Sequence, residues 1–394
     1  MPLMSDLIPA AFDVTPRTRL VFGAGTLSRI GALARELGAT KALVVTGRCI
    51  VAAGHAGRTE EYLRQAGIGV TIFDAVRENP TTVDVDRCLA VAREGTIDLI
   101  LGLGGGSSMD TAKGTNFLLT NGGVMQDYWG VGKATRPMLP MIAIPTTSGT
   151  GSECQSAALI ADDVTHQKMA CLDPKAAARI ALLDPELTLS QPARVTAVTG
   201  VDAIAHALET AVTKRRNPLS SLYSQEAFRL LIGSLPLVLS EPGNLAGRSR
   251  MLLGAALAGT AIELSMLGAA HAAANPLTAR FNVVHGAAVG LMLPAVIRFN
   301  AVLPEIAGIY ARLAVDAGIA GTHLPTSAAV QALVETVVQV LKQAGIPSGL
   351  QEAGVDPALI PTLATEAAQQ WTAGFNPRTI TAPDFEQLYR ATLR

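Results

Sequence analysis

Residues 101 to 114 read LGLGGGSSMDTAKG, three consecutive glycines set between an apolar run and a stretch of small and hydroxyl residues. The run that enters it, DLILG (98 to 102), is short and nearly all apolar, as a strand covered on both faces must be. The stretch that leaves it opens a helix whose first N–H groups, freed of bulky side chains, can close around a phosphate at the positive end of the helix dipole. This predicts a βα unit of a parallel sheet carrying a nucleotide loop. It is not the dinucleotide fingerprint G-x-G-x-x-G, because counting from Gly102 the third glycine position holds Ser107. Nor is it a P-loop, since no GK[ST] follows.

The same unit recurs to either side. KALVV (41 to 45), VTIF (70 to 73) and MIAI (141 to 144) are further strand-like runs, and TLSRIGALARELG (26 to 38) and VDRCLAVAREG (85 to 95) carry helical periodicity between them. Strands alternating with helices predict an α/β domain built on a doubly wound, Rossmann-like parallel sheet. After RIALLDPEL (179 to 187) the strand signal stops and helical pattern continues, as in SAAVQALVETVVQVLKQAG (327 to 345), closed by Gly345 with Pro347 beyond. The expectation is two domains, a nucleotide-binding α/β domain over 1–190 and an all-α domain over 191–394, which a chain of 394 residues accommodates. A second cluster, IPTTSGTGSE (144 to 153), also leaves a strand, and the two clusters are expected to form the lips of one cleft at the carboxyl ends of parallel strands.

Lys plus Arg number 31 against 32 Asp plus Glu, so no net field recruits nucleic acid or an anionic membrane. Cys49, Cys88, Cys154 and Cys171 form no CxxC pair, and no charged segment followed by an apolar one opens the chain, so a reducing cytoplasm is expected. The apolar stretch 251 to 275 is interrupted by Glu263 and His271 and lacks flanking aromatics, which predicts a buried helix and no membrane span. Small molecules and further copies of the chain remain as partners.

VDAIAHALE (201 to 209) places Asp202 and His206 at i and i+4 on one helical face. Each alone has an ordinary explanation, a cap for the Asp and a hydrogen-bonded core residue for the His. His271 in LGAAHAAANP and His285 in NVVHGAAVG add two imidazoles among small apolar residues that offer them few partners. One carboxylate and three imidazoles without a thiolate suit a borderline divalent cation, Fe²⁺ or Zn²⁺, although spacing alone leaves open whether these positions converge. His55 and His323 lie in loop-like sequence and read as solvated, and His166 has no second ligand nearby.

GGGSSMDTAKG, IPTTSGTGSE, GVDAIAHALE, LGAAHAAANP and VVHGAAVGLMLP, in that order, resemble the iron-containing, or group III, alcohol dehydrogenase family. The likeness extends from RLVFGAGTL (19 to 27) through ENPT (78 to 81) to GFNPR (374 to 378). It implies a dehydroquinate-synthase-like architecture in which a nucleotide-binding domain and a helical domain enclose a metal ion and NAD or NADP. The family's ligands would fall on Asp202, His206, His271 and His285. Gly105, Gly106 and Ser107 would take the pyrophosphate with Asp110 steadying their loop, Asn79, Thr146, Thr147 and Thr150 would line the cofactor, and Lys168 would reach the nicotinamide ribose. The implied activity is that of an alcohol dehydrogenase or aldehyde reductase, in which the metal acts as Lewis acid and the nicotinamide carries hydride. Family members are commonly dimers or larger.

Three departures from the family pattern bear on function. Asn275 stands where many members have a histidine that relays the alcohol proton, and an amide does not titrate, so a relay would use water or a ribose hydroxyl. Gly47, in VVTGRC, replaces an aspartate that takes the adenosine ribose hydroxyls, and Arg48 follows it, which predicts that NADP(H) is accepted. Ile262 and Leu264 replace an aromatic and an asparagine, and Ala157 another asparagine, which favours a bulkier or more apolar alcohol than a short diol. A maleylacetate- or hydroxyacid-type reductase would need cations for its carboxylates, and Arg280 is the evident candidate. A dehydroquinate synthase would need more basic residues beside the metal. A non-catalytic binder would not need both a phosphate cradle and an open metal site.

Overall fold

The computed structural model describes residues 12–394 apart from His166. The chain divides into two compact units, Pro16–Gln191 and Pro192–Arg394, residues 12–15 grouping with the second.

The first unit carries strands β1 (Arg19–Phe22), β2 (Lys41–Val45), β3 (Gly69–Phe73), β4 (Leu99–Gly104), β5 (Gly130–Val131), β6 (Met141–Pro145), β7 (Ala157–Ala161), β8 (Lys168–Leu172) and β9 (Ile180–Leu183). Six of them form one sheet in the order β1-β9-β6-β4-β2-β3, every neighbouring pair parallel. The central strands β4, β6 and β9 are buried at every position, the consequence of helices on both faces and the reason these runs show no alternation. From β2 the chain goes to β3 on one side, then crosses to β4 on the other. The winding direction therefore reverses between β2 and β4, and at such a switch point the two outgoing loops part and leave a crevice. The pairing Gly104↔Pro145 brings the loops after β4 and β6 off the sheet side by side.

A smaller sheet, ordered β5-β8-β7 with β7 and β8 antiparallel, was not anticipated. AALIA and KMACL contain a single β-branched residue between them, so composition hides a hairpin that shows itself in the alternating burial of both strands. Asp162 closes its turn by accepting the N–H groups of Val164 and Thr165.

In the second unit the helix Ala193–Thr210 is buried on all sides from Gly200 to Thr210, a pattern that removes amphipathic periodicity. Small residues let its neighbours approach. A Cβ on Gly286 would lie 2.8 Å from the carbonyl carbon of Val198, closer still to its oxygen, and 3.3 Å from Asp202 Cβ, so only glycine lets the helix His285–Asn300 rest against Ala193–Thr210. The stretch 251 to 275 belongs to two helices, Leu245–Leu264 and Ala269–Phe281, bent 103° at the break between them. Among the described residues no single helix is long and apolar enough to cross a membrane.

Candidate metal centre and nucleotide loops

Three helices of the second unit bring the expected donors together. Asp202 and His206 stand one turn apart on Ala193–Thr210, His271 lies in the first turn of Ala269–Phe281, and His285 is the first residue of His285–Asn300. Asp202 Oδ1 is 3.5 Å from His206 Nε2, 3.4 Å from His271 Nε2 and 3.9 Å from His285 Nε2. Donor atoms of Asp202, His271 and His285 lie within 4.8 Å of one another, the one such cluster among the described residues. The imidazoles of His206 and His271 stack at 4.8 Å with their planes 19° apart. Asp202, His206 and His271 are buried, whereas the His285 side chain is 32% exposed and forms the open side.

The electrostatics are those of a cation site. Burial works against a charged Asp202, yet the adjoining imidazoles of His206, His271 and His285 hold its acid far below the usual carboxylate range. For His271 burial acts downwards, but the charge and hydrogen bond of Glu209 and the nearby carboxylate of Asp202 outweigh it and hold the imidazole above its ordinary value. Asp202 Oδ1 and His271 Nε2 are both fully buried without a hydrogen-bond partner. Orphaned polar atoms that face one another in an interior are costly unless something between them is charged. Nitrogen and carboxylate oxygen at this spacing suit a divalent metal of the iron and zinc type.

Glu209, unassigned in the sequence reading, completes the cluster. It follows Asp202 at i+7 and His206 at i+3 on the same helical face, and its Oε2 lies 2.5 Å from His271 Nδ1. The residue-level signal was present in the third acidic or basic position of VDAIAHALE, but its partner is sixty-two positions away. Asn275, one turn beyond His271, donates from Nδ2 to Gln370 Oε1 at 2.9 Å. Ile262 is buried and Leu264 half-buried at the end of their helix. Arg280 is held by Glu366, with Nε donating at 2.8 Å.

In the first unit the glycine loop after β4 and the threonine loop after β6 face each other. A Cβ on Gly105 would stand 3.4 Å from Thr147 Oγ1, and one on Gly106 would stand 3.0 Å from Thr150 Oγ1. Gly105 precedes the helix Gly106–Asn121, so Gly106 and Ser107 supply N–H groups of its first turn. Asp110 accepts from Ser152 Oγ at 3.1 Å, and the buried Lys113 donates to Ser152 O, Ser152 Oγ and Ala157 O, tying the two loops together from beneath. Thr146 is buried, its N–H donated to Gly104 O. Gly47 caps the helix Arg48–Ala52 directly after β2, and Arg48 is exposed. Asn79 holds a left-handed backbone (φ 52°) beyond β3, a conformation that asparagine tolerates better than most residues. Lys168 is exposed at the start of β8.

Of the three other histidines, two lie among the described residues. His55 does not lie in a solvated loop, because Gly54 in the left-handed region starts the helix His55–Gln65 and packs the imidazole inward, its Nε2 2.8 Å from Ser190 Oγ. His323 is exposed, and His166 lies outside the described residues.

A doubly wound sheet whose glycine and threonine loops face each other, and a helical unit with a carboxylate and imidazole cluster, are features of the class of metal-assisted oxidoreductases. Residues 16–185 match the family described as iron-containing alcohol dehydrogenase, and residues 196–393 match the C-terminal region of the Fe-containing alcohol dehydrogenase family. The chain belongs to the iron-containing alcohol dehydrogenases, oxidoreductases acting on the CH–OH group. It is 32% identical to an NAD-dependent methanol dehydrogenase of Bacillus methanolicus over 95% of this chain and 97% of that one. It is 33% identical to a 1,3-propanediol dehydrogenase of Klebsiella pneumoniae over 94% and 95% of the two chains. The crystal structure of a 1,3-propanediol oxidoreductase superposes with a TM-score of 0.93 at 32% identity, covering 97% of this chain and all of the other.

Proposed function

We propose that this alcohol dehydrogenase holds one divalent cation, iron or zinc, on Asp202, His206, His271 and His285 and uses it with NAD(H) or NADP(H) to interconvert an alcohol and its aldehyde. What supports the reading is the single carboxylate oxygen of Asp202 with three imidazole Nε2 atoms 3.4 to 3.9 Å away. When bound, the cation supplies Lewis acidity towards the substrate oxygen. The remaining work falls to the chain. Gly105, Gly106 and Ser107 offer first-turn N–H groups to the cofactor's pyrophosphate, Thr147 and Thr150 fix the width of that cradle, and Asp110 anchors it through Ser152. Asn79, Thr146 and Lys168 are assigned to the rest of the cofactor on family likeness. Asn275 takes no proton, so the alcohol proton leaves through water or a ribose hydroxyl.

The cofactor reading extends to NADP(H). Gly47 stands two residues beyond β2 without a carboxylate to repel a 2′-phosphate, and the exposed Arg48 is next to it. A cytoplasmic setting accords with four free cysteines, and a homodimer or larger assembly with common family behaviour. The alternative of a hydroxyacid-type reductase loses its one evident cation, since Arg280 already serves Glu366.

The test is turnover before and after metal removal. Protein stripped with a chelator and reloaded anaerobically with Fe²⁺ or Zn²⁺ is assayed by NAD(P)H absorbance against aldehydes and keto acids. Activity towards aldehydes that vanishes on stripping and returns with a cation supports the proposal, and in the oxidative direction medium-chain or aromatic alcohols should exceed 1,3-propanediol. Turnover indifferent to the chelator contradicts it.

A further inference from the structure

Glu209 is buried at 3% exposure beside the imidazole cluster and uses both carboxylate oxygens on one short segment. Oε2 meets His271 Nδ1 at 2.5 Å, and Oε1 accepts the backbone N–H of Ala270 at 2.6 Å. The preceding N–H, of Ala269, points to Asn376 Oδ1 at 3.4 Å, and Asn376 is itself fixed by exchanging hydrogen bonds with Asn300 at 2.8 and 3.1 Å and by donating to Arg378 O. The first turn of Ala269–Phe281 is therefore anchored at three consecutive residues, and the last anchor is on the ring of a candidate ligand.

We propose that Glu209 is a positioning residue for the cation: by accepting the Nδ1 proton of His271 it fixes the tautomer and rotation in which Nε2 faces Asp202, and so sets how tightly the ion is held. This rests on the cation reading of the four-residue cluster. A neutral imidazole carries its proton on one nitrogen, and a ligand nitrogen must be the bare one. A carboxylate accepts from Ala270 N–H and His271 Nδ1–H together, whereas a glutamine at 209 has one accepting oxygen for two donors. Its amide NH₂ must then face either Ala270 N–H, donor against donor, or Nδ1, in which case the imidazole proton moves to Nε2 where the cation belongs. Loss of such an outer carboxylate typically weakens metal binding by about 10–100-fold.

The experiment measures Zn²⁺ affinity by competition with a chromophoric chelator, on stripped wild-type protein, Glu209→Gln, Glu209→Asp and Asp202→Ala, with the melting temperature of each metal-free form. Glu209→Asp keeps the charge but draws it back from the ring. The expected result is roughly 10–100-fold weaker Zn²⁺ binding by both Glu209 variants with melting temperatures near that of the wild type. A role in holding Ala270 alone would lower the melting temperature and leave affinity unchanged, which overturns the proposal, as does affinity within twofold of wild type. Asp202→Ala separates the two readings, because unchanged Zn²⁺ binding there refutes the cation site itself. Where neither Glu209 variant folds, long-range ¹H–¹⁵N spectra of zinc-loaded wild type decide: the imidazole identified by its absence in His271→Gln must carry its proton on Nδ1, and a proton on Nε2 refutes the proposal.

Discussion

Glu153 ends the second glycine loop with its carboxyl 2% exposed and Oε1 unpartnered. Burial raises it to about 7 despite its own backbone N–H and the charge of Lys113. Folded protein thus keeps a proton that the unfolded chain, with a carboxyl near 4.5, has released. The contribution of Glu153 to stability is accordingly complete below the unfolded value and is lost as pH rises towards about 7, at up to about 1.4 kcal/mol per pH unit. Urea unfolding midpoints at several pH values check this, with Glu153→Gln expected to flatten the decline across that window. At Gly47 a Cβ would meet nothing closer than 3.4 Å and φ is an ordinary −110°, so Gly47→Asp fits the backbone. Its carboxylate should lower kcat/KM for NADP(H) by at least about tenfold relative to NAD(H), since a charge set against the 2′-phosphate is worth more than 1.4 kcal/mol at such a site. An unchanged cofactor ratio would show that Gly47 does not face the adenosine ribose. Asp202 and the three histidines stood out in the sequence because ionisable groups are conspicuous among alanines, but that they meet was implied only by the family resemblance. Glu209 was not legible, since its meaning depends on which nitrogen of a distant imidazole needs an acceptor, and His55 was misread because Gly54 looks like loop until its left-handed backbone is seen to start a helix.

Among the elements, β2, β3, β4, β6 and β9 of the large sheet announced themselves through short apolar runs, whereas β1 was not read as a strand, and the glycine cluster marked where β4 hands over to its helix. The small sheet did not, because its residues are chosen to fill space beneath Phe117 and Met125 and carry little β-propensity. Helix packing was equally invisible. Gly286 looks like a flexible position, yet its missing Cβ sets the distance between the helices that bear Asp202 and His285. Gly286→Ala must push Val198 O away, at a cost of roughly 1–3 kcal/mol, and should weaken cation binding along with thermal stability. Calorimetry paired with a Zn²⁺ titration checks both; a variant that melts lower but binds Zn²⁺ as wild type would mean that the ligands do not depend on this contact.

The whole molecule distributes its chemistry over two units, the proposed phosphate cradle lying within Pro16–Gln191 and the carboxylate and imidazole cluster within Pro192–Arg394. Since no cradle residue belongs to the metal cluster, stripping the cation should abolish turnover yet leave cofactor affinity, read by NAD(P)H fluorescence, within a few-fold of its starting value. Loss of both together would tie the cradle to the cation. Everything at this scale depends on one ion meeting four side chains from three helices. An anomalous-difference map recorded at the iron or zinc edge from crystals of the metal-loaded protein tests that most directly. The account predicts one dominant peak enclosed by Asp202, His206, His271 and His285, and a peak on other side chains, or none in protein shown to contain the metal, would contradict it.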